Sequence, residues 1–125
     1  MAKILIVDDE RLILEMLSAF VRIMGHEPVD AISSRQARER LAQIQPDVML
    51  LDIMLPDTNG IDLCRELRQE AATAELPIII ISAHAPPKIR EAEEAGATAY
   101  LSKPVNLQSL RAALSNIGIP EAPRR

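Results

Sequence analysis

Three runs of four consecutive apolar residues, 4–7 (ILIV), 48–51 (VMLL) and 78–81 (IIII), limit the fold more than any other feature of this chain. A strand with one wet face alternates apolar and polar side chains, so short uninterrupted runs describe strands buried on both faces, as in parallel sheets covered by helices. A run at 99–101 (AYL) has the same character, and 26–32 (HEPVDAI) is a weaker strand candidate. Between these segments the apolar spacing changes to three and four residues.

Ile13, Met16, Leu17, Phe20, Val21 and Met24 share one helical face that Gly25 can end. Ser33 or Ser34 can N-cap a second helix with Ala37, Leu41 and Ile44 inward, before Pro46 and Asp47 break it. Turn formers at 55–60 (LPDTNG) lead into a third helix whose inner face is Ile61, Cys64, Leu67 and Ala71. Pro86 and Pro87 lead into a short fourth helix ending near Gly96, with Ile89, Ala92 and Ala95 inward. Asn106 can cap a fifth, with Leu107, Leu110, Leu114 and Ile117 inward. Beyond Gly118, residues 119–125 (IPEAPRR) look like a frayed tail.

Strand followed by helix, five times over, predicts an α/β fold with helices on both faces of a parallel sheet. Right-handed crossovers make a flavodoxin-like, doubly wound five-stranded sheet of order 2-1-3-4-5 the expected topology. Its switch point lies between the first and third strands, where Asp8, Asp9 and Asp52 would meet.

With 125 residues, there is room for one domain and no second folded module. A net charge of -4 and the absence of a basic stripe argue against direct nucleic-acid binding. No apolar run approaches the roughly 18 residues of a membrane span, and Met1-Ala2-Lys3 runs straight into a strand without a signal core. One cysteine, Cys64, precludes an internal disulfide and reads as an inert core thiol in a reducing compartment. The expected location is the cytoplasm.

Carboxylates converging at a sheet edge repel one another, so either their pKa values rise or a cation neutralises them. Oxygen-only donors select a hard ion, and Mg²⁺, which takes one or two carboxylates plus water and phosphate oxygens, fits better than Zn²⁺, for which no His or Cys pair has the spacing. A metal beside carboxylates and a lysine is what phosphoryl transfer requires. Asp52, alone at its strand end, is the best nucleophile; Lys103 and the Ser82 hydroxyl would contact the phosphoryl oxygens. Taken singly, each motif also suits a capping pair, a turn or a surface lysine.

In this order and spacing, Val7-Asp8-Asp9-Glu10, Leu51-Asp52-Ile53-Met54-Leu55-Pro56, Gly60, Ser82-Ala83, Ala95-Gly96-Ala97, Tyr100 and Lys103-Pro104 resemble a response-regulator receiver domain of the single-domain chemotaxis type. The resemblance implies a receiver domain over 1–118, with 119–125 a tail or the start of a linker. It implies that Asp52 accepts a phosphoryl group from a phosphohistidine on a sensor histidine kinase or histidine phosphotransfer protein. Asp9, Asp52 and the Met54 backbone carbonyl would bind Mg²⁺, with Asp8 acting mostly through metal-bound water. Ser82 would be the switch hydroxyl, Tyr100 the switch aromatic and Lys103 the phosphoryl ion pair, with a cis bond between Lys103 and Pro104. Output would pass through protein contacts of the fourth helix, fifth strand and fifth helix to an unidentified protein target, and a phosphorylation-dependent dimer is a further expectation.

Such a chain is a switch and not an enzyme, since it phosphorylates and dephosphorylates only itself. The side chains of Met54 and His84 are candidates for modulating phosphoryl lifetime, whereas His26 reads as a surface residue. The interval from Ser82 to Lys103 is one residue shorter than in many relatives and carries Pro86-Pro87. The weakly anchored fourth helix is therefore the expected mobile element. Two other functions stay open at this level. One is a phosphorylation-independent adaptor. The other is an Asp-nucleophile phosphatase, disfavoured because Met54 stands where that class needs a second Asp.

Overall fold

A computed structural model describes residues 1–123. Strands and helices alternate as β1 (Lys3–Val7), α1 (Arg11–Ile23), β2 (Glu27–Ala31), α2 (Ser34–Gln43), β3 (Val48–Asp52), α3 (Gly60–Gln69), β4 (Ile78–Ser82), α4 (Ile89–Glu94), β5 (Ala99–Ser102) and α5 (Leu107–Asn116). The five strands form one sheet of order β2-β1-β3-β4-β5, parallel throughout, which is the flavodoxin-like arrangement expected. Among the described residues no helix is long and apolar enough to cross a membrane.

The uninterrupted apolar runs are explained by two cores. Successive side chains of a strand point to opposite faces. Leu5, Val7, Met49, Leu51, Ile78 and Ile80 therefore pack with Ala37, Leu63, Leu67 and Ala92 in one layer. Ile4, Ile6, Val48, Leu50, Ile79 and Ile81 pack with Leu17, Val21, Leu110 and Leu114 in the other. Both layers are lined by apolar side chains, so the middles of β1, β3 and β4 are apolar throughout and polar groups such as Asp52 and Ser82 come only at the strand ends.

Helix starts follow local chemistry. The side chains of Ser33, Asn59 and Asn106 accept bonds from the N–H groups of Gln36, Ile61 and Ser109, satisfying donors that a first helical turn leaves open. Helix α1 closes at Gly25, whose φ of 82° is one that a side chain rarely tolerates.

Four sequence expectations are corrected. His26 is buried, not at the surface: Nδ1 accepts the Ala2 N–H at 2.9 Å and Nε2–H donates to the Pro120 carbonyl at 2.8 Å. A backbone amide can only donate and a carbonyl only accept, so the ring is the neutral Nε2–H tautomer. The segment after Gly118 is docked rather than frayed, because the Ala122 N–H bonds the Met24 carbonyl and Arg111 pairs with Glu121 at 3.0 Å. Arg124 and Arg125 of the expected tail lie outside the described residues. Ala71 is exposed beyond the end of α3, and Ile89 is 46% exposed, which leaves Ala92 and Ala95 to anchor α4. Steps of three residues rotate about 60° around a helix, so a face centred on Ala92 and Ala95 turns Ile89 toward solvent.

Candidate functional site

The sheet's C-terminal edge gathers side chains from four strand ends, those of β1, β3, β4 and β5. Asp8 follows β1, Asp52 closes β3, and both are nearly excluded from solvent, at 1% and 4% exposure. Asp9 is exposed, yet a carboxylate oxygen from each of the three lies within 4.8 Å of the others. Gly60 permits this packing: a Cβ there would overlap the Asp52 carbonyl, while its N–H bonds the Ile53 carbonyl at 2.6 Å.

Lys103 arrives from the loop after β5, held by its N–H on the Ser82 carbonyl at 2.8 Å. The Lys103–Pro104 peptide is cis, as expected, and so is Ala85–Pro86, which was not. Lys103 Nζ lies 3.0 Å from Asp8 Oδ2, 3.5 Å from Asp52 Oδ1 and 3.9 Å from Glu10 Oε1. Asp8 is the centre of this network, its Oδ1 also accepting the Glu10 N–H at 2.9 Å.

Burial and the charge of Asp8 push the Asp52 carboxyl up to about 6, against the pull of Lys103 and of the Met54 backbone. Burial works against the Lys103 ammonium, but the Asp8 hydrogen bond and the charges of Asp52, Asp8 and Glu10 outweigh it and raise its pKa above the ordinary lysine value. Lys103 therefore stays charged. Three carboxylates and one ammonium leave a net charge of -3 + 1 = -2 when all are ionised, which a single divalent cation would neutralise. The donors are all oxygens, a set suited to a hard ion such as Mg²⁺.

Ser82 is buried at the end of β4, and its Oγ accepts the His84 N–H at 2.9 Å. The His84 ring bonds the Pro86 carbonyl through Nδ1–H at 3.0 Å, so the backbone of His84, and not its imidazole, reaches Ser82. Tyr100 is half-buried against the α2–α4 core layer, and its hydroxyl accepts the Lys88 N–H at the start of α4 at 3.1 Å. The Met54 backbone helps to lower the Asp52 pKa, while its side chain is 69% exposed.

Two acids were not singled out from sequence. Glu10 was legible only as part of the acidic run, and Asp57 only as a turn former. Asp57 in fact bonds across to α2, where Oδ1 accepts the Ser34 N–H at 3.0 Å and Oδ2 accepts the Ser34 hydroxyl at 2.8 Å and the Arg35 N–H at 3.1 Å.

The family model of the response regulator receiver domain matches residues 4–115. The phosphate regulon transcriptional regulatory protein PhoB of Pseudomonas aeruginosa is 37% identical over 115 residues, which are 91% of this chain and 50% of PhoB. The chain thus spans about half the length of that relative. The chemotaxis response regulator CheY4 of Vibrio cholerae superposes with a TM-score of 0.87 at 30% identity, covering 94% of this chain and 98% of the other. The receiver domain of sensor histidine kinase PA1611 from Pseudomonas aeruginosa, crystallised with a magnesium ion in its active-site cleft, does so at 0.83 and 28% identity, covering 92% and 95%.

Proposed function

Because the chain belongs to the response regulator receiver domain family, the phosphorylation-activated switches of two-component systems, we propose that Asp52 is its phosphoryl acceptor and a phosphohistidine on a kinase or phosphotransfer protein its donor. The observation that carries this reading is the sharing of Lys103 Nζ between Asp8 and Asp52 inside a three-carboxylate cluster. An Asp52 carboxylate oxygen attacks phosphorus, the new P–O bond forms as the P–N bond to the donor imidazole breaks, and the imidazole leaves with the bonding pair.

Asp9, Asp52 and the Met54 carbonyl would hold Mg²⁺, with Asp8 acting mostly through water, and the ion would supply charge neutralisation on the transferring oxygens. Lys103 is the protein's own counter-charge. Its bonds to Asp8 and Asp52 are loose enough, at 3.0 and 3.5 Å, to be exchanged for a bond to the incoming phosphoryl group. The phosphoryl oxygens, close to -2 in charge, then accept the Ser82 O–H, and turning Ser82 toward them draws its Oγ away from the His84 N–H that it now accepts. Withdrawing that hydroxyl frees the loop leading to α4, whose N-cap residue Lys88 is tied to Tyr100. Output runs through the α4–β5–α5 face to a protein partner, and the chemistry is confined to the chain's own aspartate.

Incubation with Mg²⁺ and acetyl phosphate tests the reading: one phosphoryl mass appears on the wild type and none on Asp52→Ala. Equal labelling of the two, or none of the wild type, overturns it.

A further inference from the structure

We infer that Asp57 is a positioning residue for the phosphoryl site, clamping the β3–α3 loop to the N-terminus of α2 so that Met54 is held beside Asp52. The inference rests on the receiver reading above and deepens it.

The loop has little else to hold it. Met54, Pro56, Asp57 and Asn59 are exposed, and within the loop the Leu55 N–H reaches the Thr58 carbonyl at a long 3.3 Å. Met54 and Asn59 face each other in one isolated antiparallel bridge, and between them only the Leu55 side chain packs against the core, beyond the buried Ile53. Both ends are fixed, at β3 and at the Gly60 N–H on the Ile53 carbonyl, but the crest between them would be free to swing. Asp57 ties that crest to a different element. Its two oxygens take the first two N–H groups of α2 and the Ser34 hydroxyl.

The chemistry of the clamp is favourable from both sides. A helix N-terminus presents open N–H donors and a partial positive charge, which a carboxylate satisfies better than any neutral group. Helix α2 does not need Asp57 for its start, because Ser33 Oγ already accepts the Gln36 N–H at 3.1 Å. The bonds also hold Asp57 below the ordinary carboxylate range, chiefly through the Ser34 N–H, so the clamp stays charged at neutral pH. The beneficiary is the other end of the loop, three residues back, where Met54, two residues after Asp52 and paired with Asn59, would offer its carbonyl to Mg²⁺.

The test compares wild type, Asp57→Ala, Asp57→Asn and Ser34→Pro in the full chain. Proline is tolerated at the first position of a helix, and Ser33 is already extended, so Ser34→Pro keeps α2 while removing the Ser34 N–H and hydroxyl from the clamp. Calorimetric titration with MgCl₂ should show about tenfold weaker binding in Asp57→Ala, the lower end of the cost of losing an outer-shell partner, with a smaller loss in Ser34→Pro and in Asp57→Asn. In metal-free protein, the Leu55 and Gly60 amides should exchange faster in Asp57→Ala. Labelling by acetyl phosphate should need more Mg²⁺ for half-maximal rate yet reach the wild-type maximum. If Asp57→Ala binds Mg²⁺ as tightly as wild type and only its melting temperature falls, Asp57 is merely a helix cap and the inference is wrong. If wild type neither binds Mg²⁺ nor labels, the receiver reading fails and takes the inference with it. Wild-type labelling with unaltered Mg²⁺ dependence in Asp57→Ala sinks the inference alone.

Discussion

Lys103 is bonded more closely to Asp8 than to Asp52, at 3.0 against 3.5 Å, although Asp52 is the proposed acceptor. The lysine is thus held more by Asp8, the proposed supporting carboxylate, and the proposed nucleophile Asp52 is the less committed partner. Burial and the charge of Asp8 outweigh what Lys103 offsets and govern the pH behaviour of Asp52 in the metal-free protein.

In Mg²⁺-free buffer the Asp52 carboxyl should titrate near about 6, against an ordinary value of 3.8. Folding raises its proton affinity, so this contribution to stability is complete below 3.8 and is lost as pH rises through about 6. The full loss is roughly 3 kcal/mol, since one pKa unit corresponds to about 1.4 kcal/mol. Asp52→Asn should therefore be the more stable protein at pH 7.5, by denaturant unfolding, and saturating MgCl₂ should narrow the gap. Equal stability of the two across pH 4 to 8 contradicts this account.

Lys103→Met removes the counter-charge shared by Asp8 and Asp52. Asp52 should titrate higher still, by carboxyl ¹³C shifts, and Mg²⁺ should bind more tightly because one positive charge has left the site. Phosphoryl labelling should nevertheless slow, since the transferring oxygens lose a partner. Breaking a buried pair costs about 3–5 kcal/mol, so a clear drop in stability without metal is expected.

Gly60→Ala places a Cβ against the backbone of Asp52, and backbone cannot yield as a flexible side chain can. The expected cost is about 1–3 kcal/mol, the range for overpacking, accompanied by shifted amide resonances at Asp52 and Ile53. A wild-type spectrum would show that the contact is relieved elsewhere.

His26→Ala should destabilise the domain by about 2 kcal/mol through two lost hydrogen bonds at a buried position. It should also speed exchange at Ala122, whose N–H bonds Met24, while Mg²⁺ affinity at the opposite edge of the sheet stays unchanged. Slow Ala122 exchange in the variant would show that the segment after Gly118 is held by other contacts.

Helix α4, six residues long and anchored by Ala92 and Ala95, should be the least protected helix by amide exchange. Tyr100→Phe deletes the acceptor of the Lys88 N–H and should expose that amide further, at a cost of about 1 kcal/mol. Protection of residues 87–96 equal to that of α1 would reject both statements.

The sheet order and the meeting of Asp8, Asp9, Asp52 and Lys103 could be read from the sequence because they follow from periodicity. Apolar runs define doubly buried strands, alternation with helices makes those strands parallel, and right-handed crossovers bring particular strand ends together. His26 and Asp57 could not be read in the same way. A histidine before a strand and an aspartate in a turn are ordinary surface choices, and nothing nearby marks either as bonded.

Pattern along the chain thus determined which strands adjoin and which acids share an edge, since the hydrophobic effect acts on every run and needs no particular partner. Tertiary structure alone decided that Lys103 sits on Asp8, that Asp57 clamps α2 and that His26 fastens Ala2 to Pro120, 94 residues away from it. Hydrogen bonds are directional and short-ranged, so their partners exist only once the whole chain has brought them within about 3 Å.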